Sequence, residues 1–124
     1  MANYETIEEI VAGVSNATKL VNSTKYDENS YTISGIPDYV MYKGISVSTM
    51  YANGNSWIGF DSESEHFKFN RRDAAMYNLW TEEGTLLGTY KFFRVRWDGV
   101  CKFDAYGDPY FQTFDLIIFD TKDV

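Results

Sequence analysis

The sequence predicts a mostly β protein: an antiparallel β-sandwich, or a partly closed barrel, with one short N-terminal α-helix. Two observations lead to this prediction. Aromatic residues make up 18% of the chain, and aromatic enrichment favours strands. From residue 36 onward, short segments of alternating apolar and polar residues are separated by turn-forming pairs such as Asn53-Gly54. Because no strand–helix–strand alternation accompanies them, a parallel α/β fold is not expected.

The segment 4–22 carries helical periodicity. Its apolar residues are spaced three and four apart, as one face of a helix requires, and Thr6 with Glu9 matches a capping box. We therefore divide the chain into a helix at 1–22, a linker at 23–35 with a short strand near Tyr31, and a β-sandwich domain at 36–124. The apolar face of the predicted helix either packs on the chain's own sheet or forms a short coiled-coil seam between subunits. The residues of that seam would be Ile7, Val11, Val14, Thr18 and Val21.

Alternation is clearest in two strands, 91–97 and 111–119. Phe93, Val95 and Trp97 are predicted to share one face of the first strand, and Phe114, Leu116 and Ile118 to share one face of the second. A further half-buried strand is predicted at 45–51, with Ile45, Val47, Thr49 and Tyr51 on one face, and a hairpin turn at Asn53-Gly54. Turns are also predicted at 82–84 and at Asp98-Gly99, because both segments contain glycine beside acidic residues.

The net charge of the chain restricts the partners that it is expected to bind. The chain has 11 basic and 18 acidic residues and a formal net charge of −7. Phosphate binding needs clustered positive charge, so no nucleic-acid partner is expected. No apolar run approaches the roughly 20 residues of a membrane span, so no membrane insertion is expected either. The first nine residues include three acidic and no basic ones, unlike a signal peptide.

The residues do not predict an enzyme, a metal or a cofactor. The single histidine, His66, and the single cysteine, Cys101, cannot build a His/Cys zinc site, and Cys101 is expected to be a small buried apolar side chain. Carboxylate pairs could hydrolyse glycosides. However, 18 acids in 124 residues make some close pair inevitable, so their presence carries little information.

Aromatic and arginine side chains are the candidates for ligand binding. Tyr106 and Tyr110 flank a Gly-Asp-Pro loop, where they are expected to be exposed. Tyr77 and Trp80 could also stack against a sugar ring, whose C–H face is apolar, although such aromatics also fill cores. Arg94 and Arg96 share one strand face. They either contact a ligand carboxylate or sugar, or pair across strands with acids such as Asp115.

Four sequence blocks carry a resemblance to a known family. They are Gly54-Asn55-Ser56-Trp57-Ile58-Gly59-Phe60, Asn70-Arg71-Arg72-Asp73-Ala74-Ala75-Met76-Tyr77, Glu82-Glu83-Gly84-Thr85-Leu86 and Tyr90-Lys91-Phe92-Phe93-Arg94-Val95-Arg96-Trp97-Asp98-Gly99. In this order they resemble a family of tail-associated proteins from phages and prophages of Firmicutes. More distantly, residues 36–124 resemble a nidogen-type extracellular β-domain. Nidogen-type patterns continue past the last strand, so a closing strand is expected to be absent or supplied by a neighbouring subunit.

The resemblance implies a non-enzymatic virion module, either a structural part of a tail or fibre or a host-attachment domain. Such a module would be made in the host cytoplasm and carried on the virion. Its expected partners are further copies of itself (a trimer being the number expected of a fibre), other virion proteins, or a cell-surface glycan. The alternatives are a carbohydrate-binding module not tied to a virion, and a small carboxylate-based glycoside hydrolase.

Overall fold

A computed structural model of the chain describes residues 1–26, 29–70, 74–102 and 112–123, with the side chains of 23–26, 102 and 123 left aside. The elements in chain order are β1 (Ala2–Tyr4), α1 (Ile7–Val11), β2 (Thr18–Tyr26), β3 (Ser30–Ile33), β4 (Met41–Tyr42), β5 (Ile45–Ser46), β6 (Met50–Asn53), β7 (Trp57–Phe60), β8 (Phe67–Lys68), β9 (Ala74–Leu86), β10 (Tyr90–Lys102) and β11 (Gln112–Phe119), followed by a 3-10 turn at Thr121–Asp123.

Two sheets pack face to face, which confirms the predicted antiparallel sandwich. The first sheet has the order β1-β9-β10-β11, and β2 also pairs with β9. Its pairs are antiparallel except β1 with β9, which run parallel. The second sheet has the order β3-β6-β7-β8, and β4 and β5 form a separate hairpin. Within the described residues neither sheet closes into a barrel.

The core between the sheets contains the residues predicted from alternation. Phe93, Val95 and Trp97 are buried, and the predicted set on β11 packs against them. Trp97 is 1% exposed. Its indole N–H donates to the Asn53 carbonyl at 3.1 Å, and this bond ties the first sheet to the second. Cys101 is buried, as predicted.

The predicted N-terminal helix is wrong over most of its length. The helix α1 covers only Ile7–Val11, and Thr18–Tyr26 is a strand paired with β9. Thr6 does cap α1, because its hydroxyl accepts the Glu9 N–H at 3.1 Å. The β-branched residues after position 13 suit a strand, and an edge of β9 was available for them to pair with.

The coiled-coil seam is therefore wrong as well. Its five residues lie on α1, on the connection after it and on β2, so they form no continuous stripe. Ile7 and Val11 are exposed by 48% and 41%, whereas Val21 belongs to the core. The residue of α1 that is buried is Ile10. Val14 is half-buried and Thr18 is exposed. The helix thus packs on its own sheet.

The segment 45–51 also differs from its prediction. It is split between β5 and β6, so the predicted single strand is wrong. Ile45 is 71% exposed, while Met50 and Ala52 are fully buried, which reverses the predicted face of β6. The hairpin from β6 to β7 is confirmed. In the turn of this hairpin, Ser56 has the positive φ. The linker does carry a strand, β3, which pairs with β6.

The two predicted turns at 82–84 and 98–99 are also wrong, because β9 and β10 run through them for 13 residues each. The chain reverses instead at Leu87 and Gly88, both with positive φ. Gly84 is required by packing: a Cβ there would lie 2.6 Å from the Phe92 ring. Gly99, with φ +72°, forms a bulge where the register to β11 shifts.

Candidate functional site

An open cleft lies between the two sheets where β2 and β9 face β3. We call it the inter-sheet cleft, and it encloses about 230 Å³. Its polar lining consists of Thr18, Tyr31, Thr32, Ser34, Thr81 and Glu83, and its apolar lining of Leu20, Ile33 and Phe93. A concave surface with an apolar floor and several hydroxyl groups is the kind of site that orients a small polar ligand.

The cleft opens because the core face of β9 becomes polar along its length. Leu79, which is fully buried, is followed on the same face by Thr81 and then Glu83. Thr81 pairs with Thr18 of β2, so the neighbouring strand is polar at the same level. On β10, Phe93 lies opposite Glu83, and the next residue on the same face of that strand is Lys91.

Two adjacent carboxylates on β9 face opposite sides of the sheet. Glu83 is exposed at the rim of the inter-sheet cleft. Glu82 is 5% exposed, and its carboxylate lies on the far side, bonded to Arg94 at 2.6 Å and to the Tyr4 hydroxyl at 2.6 Å. Glu82 therefore contributes backbone to the cleft lining, and Glu83 contributes the carboxylate.

The far side of the first sheet carries a buried ionic network beneath α1. Arg94 is bonded to Glu82, and Arg96 donates two hydrogen bonds of 2.9 Å to Asp115. Asp115 also lies 3.6 Å from Arg94. The predicted pairing of these arginines with Asp115 is thus confirmed. Burial, followed by the hydrogen bond to Glu82, raises the pKa of the Tyr4 phenol at one end of the network.

Arg94 and Arg96 also bind the carbonyl groups at the C-terminal end of α1. Arg94 donates to the carbonyls of Ile10 and Gly13 at 2.8 and 3.0 Å, and Arg96 donates to the carbonyl of Val11 at 2.7 Å. These carbonyls lie at or just beyond the last turn of α1, where carbonyl groups lack partners within the helix. The arginines are 1% and 7% exposed. Their guanidinium groups therefore join α1 to the sheet instead of pointing into an open cavity.

A second, charged cleft of about 540 Å³ lies beside the first. It contains Tyr39, Asp38, Asp120, Lys91 and Lys122, and shares Glu83 with the inter-sheet cleft. Burial of Tyr39, followed by the negative charges of Glu83, Asp120 and Asp38, raises the pKa of its phenol to about 12. The hydroxyl is therefore a neutral donor at physiological pH.

Of the aromatic residues predicted to bind a ligand, the two that the structure describes, Tyr77 and Trp80, do not line the inter-sheet cleft. Trp80 lies on the α1 side of β9, opposite Arg96, and the Lys19 ammonium covers its ring at 4.7 Å. The Tyr77 ring lies against the bulge at Gly99. Tyr106 and Tyr110 lie outside the described residues. The cleft residues Tyr31 and Glu83 were missed, because Tyr31 was assigned to a linker and Glu83 to a turn.

His66 is part of an aromatic stack. Its ring lies parallel to the Tyr42 ring at 4.8 Å, and its Nδ1 accepts the Phe60 N–H at 2.9 Å. Over the described residues, three or more His, Cys, Asp or Glu side chains do not come together in a group that could hold a metal ion. Neither α1 nor any other helix of the described residues is long and apolar enough to cross a membrane.

Comparison with known proteins gives no family for this chain: no family model, curated protein or solved structure matches it.

Proposed function

We propose that this protein is a non-enzymatic module of a phage virion, a tail or fibre component that attaches to a host-surface glycan through the inter-sheet cleft. The observation that carries the binding part is the lining of that cleft, where hydroxyl groups and one exposed carboxylate surround an apolar floor. The virion part is supported by the four sequence blocks that resemble phage tail proteins.

A sugar has chemistry that matches this lining. Its hydroxyl groups can exchange hydrogen bonds with Thr18, Thr81 and Ser34, and a carboxylate such as Glu83 can accept from two of them. Its C–H face can lie on the half-buried ring of Tyr31. The net charge of −7 favours a neutral or cationic glycan over a strongly anionic one.

Binding is favoured over hydrolysis by the arrangement of the carboxylates. Glycoside hydrolysis uses two carboxyl groups that flank the scissile bond, roughly 5 to 9.5 Å apart. Glu83 is at the cleft, but its neighbour Glu82 faces the other side of the sheet and is bonded to Arg94. Among the described residues that line it, the inter-sheet cleft therefore offers one carboxylate where the reaction would need two.

A glycan-array screen followed by titration calorimetry with the best ligand tests the binding site. Tyr31→Ala and Glu83→Gln should each weaken binding by about tenfold or more, since each removes a direct contact. Glu65→Gln, in an exposed loop away from the cleft, is the matched control and should leave the affinity unchanged. Equal affinities for all three variants would place the ligand elsewhere, and release of a shortened sugar would overturn the non-enzymatic assignment.

The virion assignment needs its own test, because a carbohydrate-binding module outside a virion would pass the glycan experiments. An antibody raised against the intact chain should label the tails of phage particles in electron micrographs. Detection of the chain only free of particles would contradict this part of the proposal while leaving the glycan site standing.

A further inference from the structure

The strand β11 lies at the edge of the first sheet but has the composition of an interior strand. Within the described residues its only partner is β10. Phe114, Leu116 and Ile118 face the core, while Ile117 and Phe119 face the opposite side. All five are only partly buried. A continuous apolar run such as 116–119 is typical of a strand that is buried on both faces.

The outward hydrogen-bonding groups of this edge follow from its register. The register between β10 and β11, in which Phe92 pairs with Phe119, places Asp120 opposite Lys91. The Asp120 N–H donates to the Lys91 carbonyl at 2.8 Å. Positions 118, 116 and 114 therefore also bond to β10. The N–H and C=O groups of Thr113, Asp115, Ile117 and Phe119 consequently point away from the sheet, toward a further strand.

Over the part of the chain that the structure describes, the edge at residues 113–119 lacks most of the features that prevent strands from associating. Natural edge strands are protected by proline, lysine, inward-pointing charge or a covering element. Gln112–Phe119 contains neither proline nor lysine. Its single charge, Asp115, is already neutralised by two hydrogen bonds from Arg96 and by the nearby Arg94.

We propose that two copies of this chain associate through β11, antiparallel, about a two-fold axis at Leu116. In this register Asp115 is opposite Ile117 of the partner subunit, and Thr113 is opposite Phe119 of the partner subunit. The outward groups then meet outward groups on both strands, as an isologous interface requires. The first sheets of both copies become one sheet.

Side chains also match in this arrangement. On the core side, Phe114 is opposite Ile118 of the partner subunit and Leu116 is opposite its own counterpart, so the apolar face continues across the axis. The two Asp115 side chains come no closer than a diagonal pair, about 7 Å or more, and each has its own arginine. A second copy is thus complementary to this edge in hydrogen bonding, in polarity and in local charge.

Light scattering and sedimentation of the intact chain give the first test. Above its dissociation constant the chain should have twice the monomer mass of 14.3 kDa. Each copy carries a net charge of −7, so repulsion between copies should weaken as salt is added and the dimer should tighten. A monomer at every concentration and salt level would overturn the proposal.

Ile117→Pro is the specific variant, and Ile117→Val is its matched control. Proline removes an outward N–H from each copy, and an edge strand tolerates proline at such a position. We expect the dissociation constant to rise about 30-fold or more, from two lost hydrogen bonds per dimer. The valine variant should dimerise as the native chain does. A dimer that is unchanged by Ile117→Pro would show that another surface holds the copies together.

Disulfide trapping tests the same interface without the proline variant. In a Cys101→Ala background, Leu116→Cys places two thiols opposite each other at the axis, within the Cα separation that a disulfide needs. Thr113→Cys is the control, because its counterpart would be about 20 Å along the strand. Mild oxidation should cross-link the first variant only. Equal cross-linking of both, or of neither, would overturn the proposed register.

This inference does not depend on the proposed glycan site. The inter-sheet cleft is formed by β2, β3 and β9, and β11 is at the other edge of the sheet. A chain that dimerises but binds no sugar would contradict only the proposed function, and a monomer that binds sugar would contradict only the dimer.

Discussion

The buried ion pair between Arg94 and Glu82 has more structural partners than a typical surface salt bridge. Both side chains are 1% exposed. Arg94 also holds two carbonyls at the end of α1, and Glu82 also accepts the Tyr4 hydroxyl. Removing one member would therefore leave a charge without a partner in a site that water does not reach, which is more costly than losing an exposed pair.

Arg94→Met should destabilise the protein by about 3 to 5 kcal/mol, because the Glu82 carboxylate would stay buried without its cation. Denaturation in urea, followed by circular dichroism, measures this change. The double variant Arg94→Met, Glu82→Leu should recover at least about 1 kcal/mol, since no unpaired charge remains. A single variant that loses less than about 1 kcal/mol, or a double variant less stable than the single one, would contradict this view of the network.

Sequence alternation identified one half of this network. Arg94 and Arg96 were placed on one face because their positions differ by two, and Asp115 was matched to them by the same parity. Glu82 was missed because the string Glu-Glu-Gly indicates a turn. Local composition does not reveal that Gly84 is required by the nearby Phe92 ring, since that ring comes from the next strand.

At the level of secondary-structure elements, the bulge in β10 shifts the pairing of this strand with β11 and leaves its register with β9 unchanged. Gly99 has φ +72°, and the register to β11 shifts between Trp97 and Val100. An added Cβ would lie 2.6 Å from Cδ2 of Tyr77. Glycine is needed here both for the backbone conformation and for the space.

Gly99→Ala should cost about 2 kcal/mol or more of unfolding free energy, because it adds a contact with Tyr77 to the strain of a positive φ. Gly88→Ala is the matched control: φ is +68° there, but no atom lies within 4 Å of the added Cβ. It should cost only about 1 to 2 kcal/mol. Thermal unfolding of both variants compares the two costs, and equal costs would mean that the Tyr77 ring moves aside freely.

The N-terminal segment shows how an element can be misassigned from periodicity alone. Spacings of three and four residues over 4–22 favour a helix, and the Thr6 cap was identified correctly. Beyond α1, however, an edge of β9 is available, and Thr18–Tyr26 pairs with it through two register shifts. Irregular pairing of this kind leaves no regular alternation of period two in the sequence.

On the scale of the whole molecule, the N-terminal segment is part of the sandwich. β1 lies beside residues 84–86 of β9, and α1 receives hydrogen bonds from Arg94 and Arg96. Asn3 also accepts hydrogen bonds from the Thr85 hydroxyl and the Gly88 N–H. These contacts join residues more than 80 positions apart in the chain.

Deleting residues 1–17 should lower the melting temperature by about 10 °C or more, because both arginines lose carbonyl partners and an edge of β9 loses its strand. Differential scanning calorimetry of the truncated and full-length chains measures this shift. Equal melting temperatures for the truncated and the full-length chain would indicate that the segment does not stabilise the sandwich, as the predicted division at residue 22 implies.

The sequence by itself determined the fold class and which residues share a face in strands β10 and β11. Those features depend on alternation and turn chemistry, which act over a few residues. Only the tertiary structure decided the helix length, the bulge, the buried Glu82–Arg94 pair and the inter-sheet cleft. Each of these arises where distant segments meet, such as Thr18 beside Thr81 or Ile10 above Arg94. Pairing and packing between such segments outweigh local propensities of a few tenths of a kcal/mol per residue.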